Sequence, residues 1–153
     1  MRAPHVLVAC AVMTLAAPGD GARAVAPTPH GGALTVNLEG VRGGAGVILV
    51  EVFGGQDQWL HRGKALVHAR TAPTAVGVVT LENVPPGPVA VAVLHDENQN
   101  NKLDMRWLPW PRPAEGAGAS RNPRPRWGPP AFGDAVFVFT PPQTVTITLY
   151  YPD

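Results

Sequence analysis

The stretch Asn83-Val84-Pro85-Pro86-Gly87-Pro88, then Val89-Ala90-Val91-Ala92-Val93-Leu94, then His95-Asp96-Glu97-Asn98-Gln99-Asn100-Asn101-Lys102-Leu103-Asp104, decides how the chain is read. Its three parts differ in physical character. Prolines of fixed φ beside a glycine make the first a rigid turn. The second is apolar at every position, with Val89, Val91 and Val93 on one face and Ala90, Ala92 and Leu94 on the other; this predicts a strand covered on both sides and therefore central in its sheet. The third carries oxygen-bearing side chains at alternate positions: Asp96, Asn98, Asn100 and, further on, Asp104.

That alternation has the spacing of a calcium loop. A hard cation takes roughly six to eight oxygens, and a tightly curled loop turns every second side chain toward its own centre. The ligand positions fall on Asp96, Asn98, Asn100, the main-chain carbonyl of Lys102, and Asp104. Asn101 stands where such loops usually have glycine, and asparagine tolerates the left-handed backbone needed there. The position of the usual bidentate glutamate is Trp107, so a further carboxylate has to come from elsewhere, with Glu115, Asp134 and Asp57 as candidates. Asp and Asn also gather in metal-free turns, because their side chains bond nearby backbone. With only two local carboxylates, calcium is expected to bind weakly, at about 10⁻⁴–10⁻³ M. Asp96→Ala is then expected to abolish a calcium-dependent rise in melting temperature and to leave the calcium-free protein little changed.

Outward from this stretch, the pattern is that of strands. In Ala33–Glu39, Leu34, Val36 and Leu38 alternate with polar residues; Val47–Phe53 is a β-branched apolar run; Leu66–Ala69 is a weaker strand and Val76–Glu82 a further one. Ala135–Phe139 and Thr144–Tyr150 complete the set, the last with Val145, Ile147 and Leu149 facing in. Gly54–Gly63 is a polar loop whose Trp59 is expected to cover an edge of the core. About seven strands without a convincing helix predict a single antiparallel β-sandwich. Between the two groups lies Met105–Ala131, dense in proline, aperiodic, and holding three of the chain's four tryptophans. A connection of that length inside a compact domain is usually functional or disordered, and tryptophans argue against disorder. Trp107, Trp110 and Trp127, beside Arg106 and Arg126, are therefore candidates for a contact surface, since such residues supply large apolar area with a polar edge. The alternative is that they pack on the end of the sandwich.

The first 24 residues read as an export signal: Arg2 and His5, the apolar run Val6–Ala17, the break at Pro18-Gly19, and Ala22-Arg23-Ala24 as a small-x-small cleavage site. The run is too short for a permanent membrane anchor. Residues 25–32, rich in proline and glycine, form a flexible leader, and 33–151 the domain; a periplasmic or secreted location follows. Cys10 lies inside the apolar run, where a lipoprotein box is the lesser reading, so the mature domain has no cysteine for a disulfide or a zinc site. Without the signal, acidic and basic residues balance. Nucleic acid is not an expected partner.

The motifs also carry a resemblance. The Asn83-Val84-Pro85-Pro86-Gly87 turn, the His95–Asp104 loop, Glu115-Gly116-x-Gly118-x-Ser120, and Arg126-Trp127-Gly128-Pro129-Pro130-x-Phe132-x-Asp134-Ala135, in this order, resemble the bacterial domain of unknown function numbered 2141 over about Ala33–Tyr150. The resemblance implies an exported β-sandwich, similar in outline to transthyretin-like and immunoglobulin-like modules, with no established activity.

Three functional readings follow. The first is a non-catalytic binding or structural module, expected to be a monomer, that meets an envelope protein or a glycan. The second is an envelope assembly component offering the edge of Val145–Tyr150 to another chain. The third is a transthyretin-like hydrolase, which the sequence disfavours: the Tyr-Arg-Gly-Ser tail of such hydrolases is absent from Leu149-Tyr150-Tyr151-Pro152-Asp153, and His61, His68 and His95 show no catalytic spacing.

Overall fold

The computed structural model describes residues 31–73, 77–106, 112–124 and 128–151. The expected signal segment over residues 1–24 lies outside them, as do Trp107, Trp110, Arg126 and Trp127. The elements in chain order are β1 (Gly32–Glu39), β2 (Val47–Phe53), β3 (Val67–Thr71), β4 (Gly77–Val84), β5 (Gly87–Asp96), β6 (Met105–Arg106), β7 (Arg112–Pro113), β8 (Gly116–Ala119), α1 (Phe132–Ala135), β9 (Phe137–Phe139) and β10 (Gln143–Thr148). They form the expected β-sandwich. One sheet has the order β10-β1-β4 and the other β3-β2-β5-β8, with β9 also pairing β5.

The period-2 patterns set which faces meet. Leu34, Val36 and Leu38 of β1, Val79 and Leu81 of β4, and Ile147 of β10 close against Ile48, Val50 and Val52 of β2 and Val89, Val91 and Val93 of β5. Each fully buried side chain of this kind contributes roughly 1.5–3 kcal/mol by leaving water. As its composition predicts, β5 is central: β2 runs along one edge of it, and β9 followed by β8 along the other.

A second apolar cluster lies on the outer face of the larger sheet. Phe53, Trp59, Ala90, Ala119 and Ala135 are buried there, with Phe132 packed against them. Trp59 meets Phe53 and Phe132 edge to face, with centroids 5.4 and 5.9 Å away. Its indole N–H donates to the carbonyl of Pro130 at 2.8 Å. The tryptophan thus covers a core edge, as its sequence position suggests, and ties the β2–β3 loop to the segment before α1.

Three features depart from the sequence reading. The segment Met105–Ala131 is not wholly irregular, because β6 and β7 pair with each other and β8 joins the larger sheet. Ala135 ends a short helical turn, and the strand begins only at Phe137. The sandwich is not antiparallel throughout: β10 pairs with β1 in parallel, Val36 opposite Val145 and Leu38 opposite Ile147. The reason is topological. β9 belongs to one sheet and β10 to the other, so no hairpin dictates the direction in which β10 arrives.

The outer edge of β10 is partly closed by a side chain. Asn122 donates from its amide to the carbonyl of Thr146 at 3.1 Å and accepts from the N–H of Thr148 at 2.8 Å, in the manner of a neighbouring strand. Tyr150 then pairs with Ala117. Val145–Tyr150 therefore does not present the continuous free edge that strand addition needs. Among the described residues no helix is long and apolar enough to cross a membrane.

Candidate functional site

At its far end β5 delivers two polar residues to opposite faces, and both are buried: His95 at 1% exposure and Asp96 at 0%. His95 lies on the inner side, where Nε2 donates to the carbonyl of Ala45 at 3.0 Å and Nδ1 pairs with the Tyr151 hydroxyl at 2.7 Å. The same hydroxyl accepts from the N–H of Arg42 at 3.1 Å, and the Arg42 guanidinium lies 4.6 Å from the tyrosine ring centre. Burial raises the Tyr151 phenol above its ordinary range, against the lowering effect of the Arg42 N–H. His95 is thus spent on holding the C-terminal Tyr151 against the sheet end, with both ring nitrogens engaged.

Asp96 starts the oxygen-rich loop. Its Oδ1 accepts from the N–H of Asn100 at 3.1 Å and its Oδ2 from that of Asn101 at 2.6 Å. Asn98 Oδ1 also accepts from the Asn100 N–H at 3.0 Å, and Asn100 Oδ1 from the Lys102 N–H at 2.7 Å. These contacts wind the loop so that Asn98 and Asn100 turn their amide groups toward the Asp104 carboxylate, at 2.6 and 3.1 Å. Asn101 takes φ +57, the left-handed conformation that its place in the loop calls for. Lys102 contributes its N–H and is exposed, at the rim of the outer face of the larger sheet.

Of the three carboxylates considered as further ligands, the fold brings one. Glu115, immediately before β8 and 4% exposed, reaches the loop from the adjoining strand. Its Oε1 accepts from the N–H of Glu97 at 3.0 Å and its Oε2 from that of Asp104 at 3.1 Å, so one side chain clasps both ends of the loop. Asp134 is not at the loop. It closes the first turn of α1 by accepting from the Ala131 N–H at 3.3 Å, and α1 packs near Ala90 at the other end of β5. Asp57 lies beyond Phe53, and Phe53 pairs with Ala90 at that same distant end. The physical reason is the length of β5: the six residues from Ala90 to Asp96 separate its ends by about 20 Å at ~3.3 Å per residue.

Among the described residues, no three or more His, Cys, Asp or Glu side chains group into a metal centre. The loop's oxygen set is instead mixed, carboxylate with amide. An amide or carboxylate oxygen that accepts one backbone N–H keeps a second lone pair. The contact-surface candidates Trp107, Trp110, Trp127 and Arg126 lie outside the described residues, and Arg106 is described only through its backbone in β6.

Two residues that hold this region had no role assigned from sequence, although Ser120 stands in a motif of the family resemblance. Ser120, fully buried, accepts from the N–H of Val91 at 2.9 Å and donates to the carbonyl of Ala135 at 2.6 Å, bridging the gap where β9 gives way to β8. Asn122 closes the β10 edge. A lone serine or asparagine after a glycine-rich run carries no periodic signal; only the neighbouring Gly-Ala alternation of Gly116–Ala119 could have marked the strand that positions them.

Comparison with curated proteins yields no match, and comparison with solved structures likewise yields none. A family of bacterial proteins does match, under the description "Uncharacterized protein conserved in bacteria (DUF2141)", over residues 36–147. That span runs from within β1 to within β10 and includes the loop, Glu115 and Ser120. With most of its length matched, the chain belongs to the DUF2141 family.

Proposed function

We propose that this chain is an exported, non-catalytic binding or structural module whose Asp96–Asp104 loop is ordered by a weakly held calcium ion, with the segment beyond the loop meeting an envelope protein or a glycan. One observation carries the reading. Asp96 and Glu115 are buried carboxylates at one loop, and among the described residues neither forms an ion pair. Buried charge is normally paired or bound to a metal, because desolvation without a counter-charge is costly. Backbone N–H groups offset part of that cost, and a divalent cation taking the remaining lone pairs of Asp96, Asn98, Asn100 and Asp104 offsets the rest. Glu115 holds the loop ends from outside this set.

The test is calorimetric titration of the mature domain with calcium, paired with melting curves. For affinity of about 10⁻⁴–10⁻³ M, calcium at ~10 mM stabilises by roughly 1.4–2.7 kcal/mol, a rise of several degrees in melting temperature. Asp104→Asn is the informative variant, since its carboxylate accepts only side-chain amides in the loop. It is expected to remove the calcium response while leaving the calcium-free melting temperature close to that of the parent. Asp96→Ala is less clean than its sequence position suggests, because the two N–H groups it caps lose their acceptor even without metal. No heat of binding in the parent protein, or an equal shift in parent and Asp104→Asn, rejects the calcium reading.

A further inference from the structure

The outer face of the larger sheet carries a groove of about 670 Å³, within the size range of small-molecule sites. Its floor is made low by small residues: Ala92 of β5 lies between Glu51 of β2 and Ala119 of β8, and Leu94 lies between Leu49 and Ala117. The groove is polar lengthwise. At one end Trp59, Leu60 and Pro130 line it, and at the other Arg70 and Lys102. Leu49 to Phe53 measures the distance between the ends, about 13 Å at ~3.3 Å per residue. Arg70 donates to Asn101 Oδ1 at 2.8 Å, which fixes the guanidinium beside the loop; among the described residues its other N–H groups have no partner. Among the described residues the walls also hold Arg62, His68 and a single carboxylate, Glu51.

We propose that this groove binds a monomeric amphipathic carboxylate, an acyl or aryl acid, with its apolar body along Leu49, Leu94 and the alanine floor and its acid group at Arg70 and Lys102. The argument is charge complementarity: a cationic end at Arg70 and Lys102, an apolar floor, and Arg62 and His68 against the one acid, Glu51, along the described walls. A cationic amphiphile meets the same floor but the wrong charge. The proposal rests on reading the chain as a binding module, and it does not require calcium.

The experiment uses anilinonaphthalene sulfonate as a fluorescent reporter on the folded mature domain, with decanoate and decyltrimethylammonium as competitors, in calcium and in chelator. Enhanced fluorescence that decanoate reverses and decyltrimethylammonium does not is the expected result. Arg70→Glu and Lys102→Glu, both at exposed positions, should each weaken decanoate by about tenfold, the size of one lost charge-assisted contact. Ala117→Phe, which raises the floor, should weaken it without changing the charge. No fluorescence enhancement, equal competition by the two amphiphiles, or unchanged decanoate affinity in all three variants overturns the proposal. A domain that takes up calcium but no decanoate loses only the groove assignment, and one that takes up decanoate but no calcium loses only the calcium reading.

Discussion

The two ends of β5 are fastened by opposite kinds of chemistry. At the Ala90 end, Phe53, Trp59 and Phe132 stack edge to face over small residues, and the one polar atom of the cluster, the Trp59 indole nitrogen, is satisfied by Pro130. At the Asp96 end, carboxylates, amides and backbone N–H groups form a closed net with His95 and Tyr151 beside it. Apolar burial is indifferent to metal and largely to pH, whereas a net with buried carboxylates depends on what neutralises them. One strand therefore joins an end held by apolar packing to an end held by polar contacts, and on the calcium reading only the second is expected to respond to metal.

The largest expected effect breaks the apolar end. Trp59→Ala should cost about 3–5 kcal/mol, as for other buried aromatic truncations, and equally with and without calcium. Denaturant unfolding in both conditions measures this, and a loss that shrinks when calcium is added would show that the ends are not independent. A smaller effect is expected at the polar end. Glu115→Gln turns one of its two acceptors into a donor facing a backbone N–H, at roughly 1–3 kcal/mol, and should weaken the calcium-dependent rise in melting temperature because the loop ends are no longer clasped. An unaltered calcium response places Glu115 outside the linkage.

The smallest effect concerns Glu51, half-buried between the two ends. Burial raises its carboxyl above the usual range, and nearby His68 and Arg62 pull it back. A raised carboxyl binds its proton more tightly in the folded state, so this stability is full below the unfolded-state pKa and is lost as pH rises through the folded one. Glu51→Gln should flatten that slope between mildly acidic and neutral pH and slightly raise the neutral melting temperature. Parallel pH profiles for the parent and Glu51→Gln would remove Glu51 from the account.

How much of this was legible in the sequence varies with the residue type. Leu34, Val36 and Leu38, or Val89, Val91 and Val93, announce their strands because large β-branched or branched side chains repeat at the pleat period and have one face to bury. β8 does the same with Gly116, Ala117, Gly118 and Ala119 and was passed over, since glycine and alanine have low strand propensity and contribute little to an apolar pattern. Their smallness is required by the fold. A Cβ on Gly118 would meet the Thr148 carbonyl at 2.6 Å, and one on Gly116 would collide with the Tyr151 ring. The loop's alternation of oxygen-bearing side chains was legible because it is local, whereas the arrival of Glu115 rather than Asp134 or Asp57 was not.

By itself, then, the sequence determined the strand faces, the central place of β5, the left-handed turn at Asn101 and the spacing of oxygens in the loop, all of which arise from neighbours within about ten residues. Tertiary structure alone decided that β10 lies parallel to β1, that a Gly-Ala strand joins the larger sheet, and that Glu115 rather than Asp134 reaches the loop. Those outcomes depend on which segments pack across the sandwich. Such contacts join residues far apart in the chain, and no local periodicity records them.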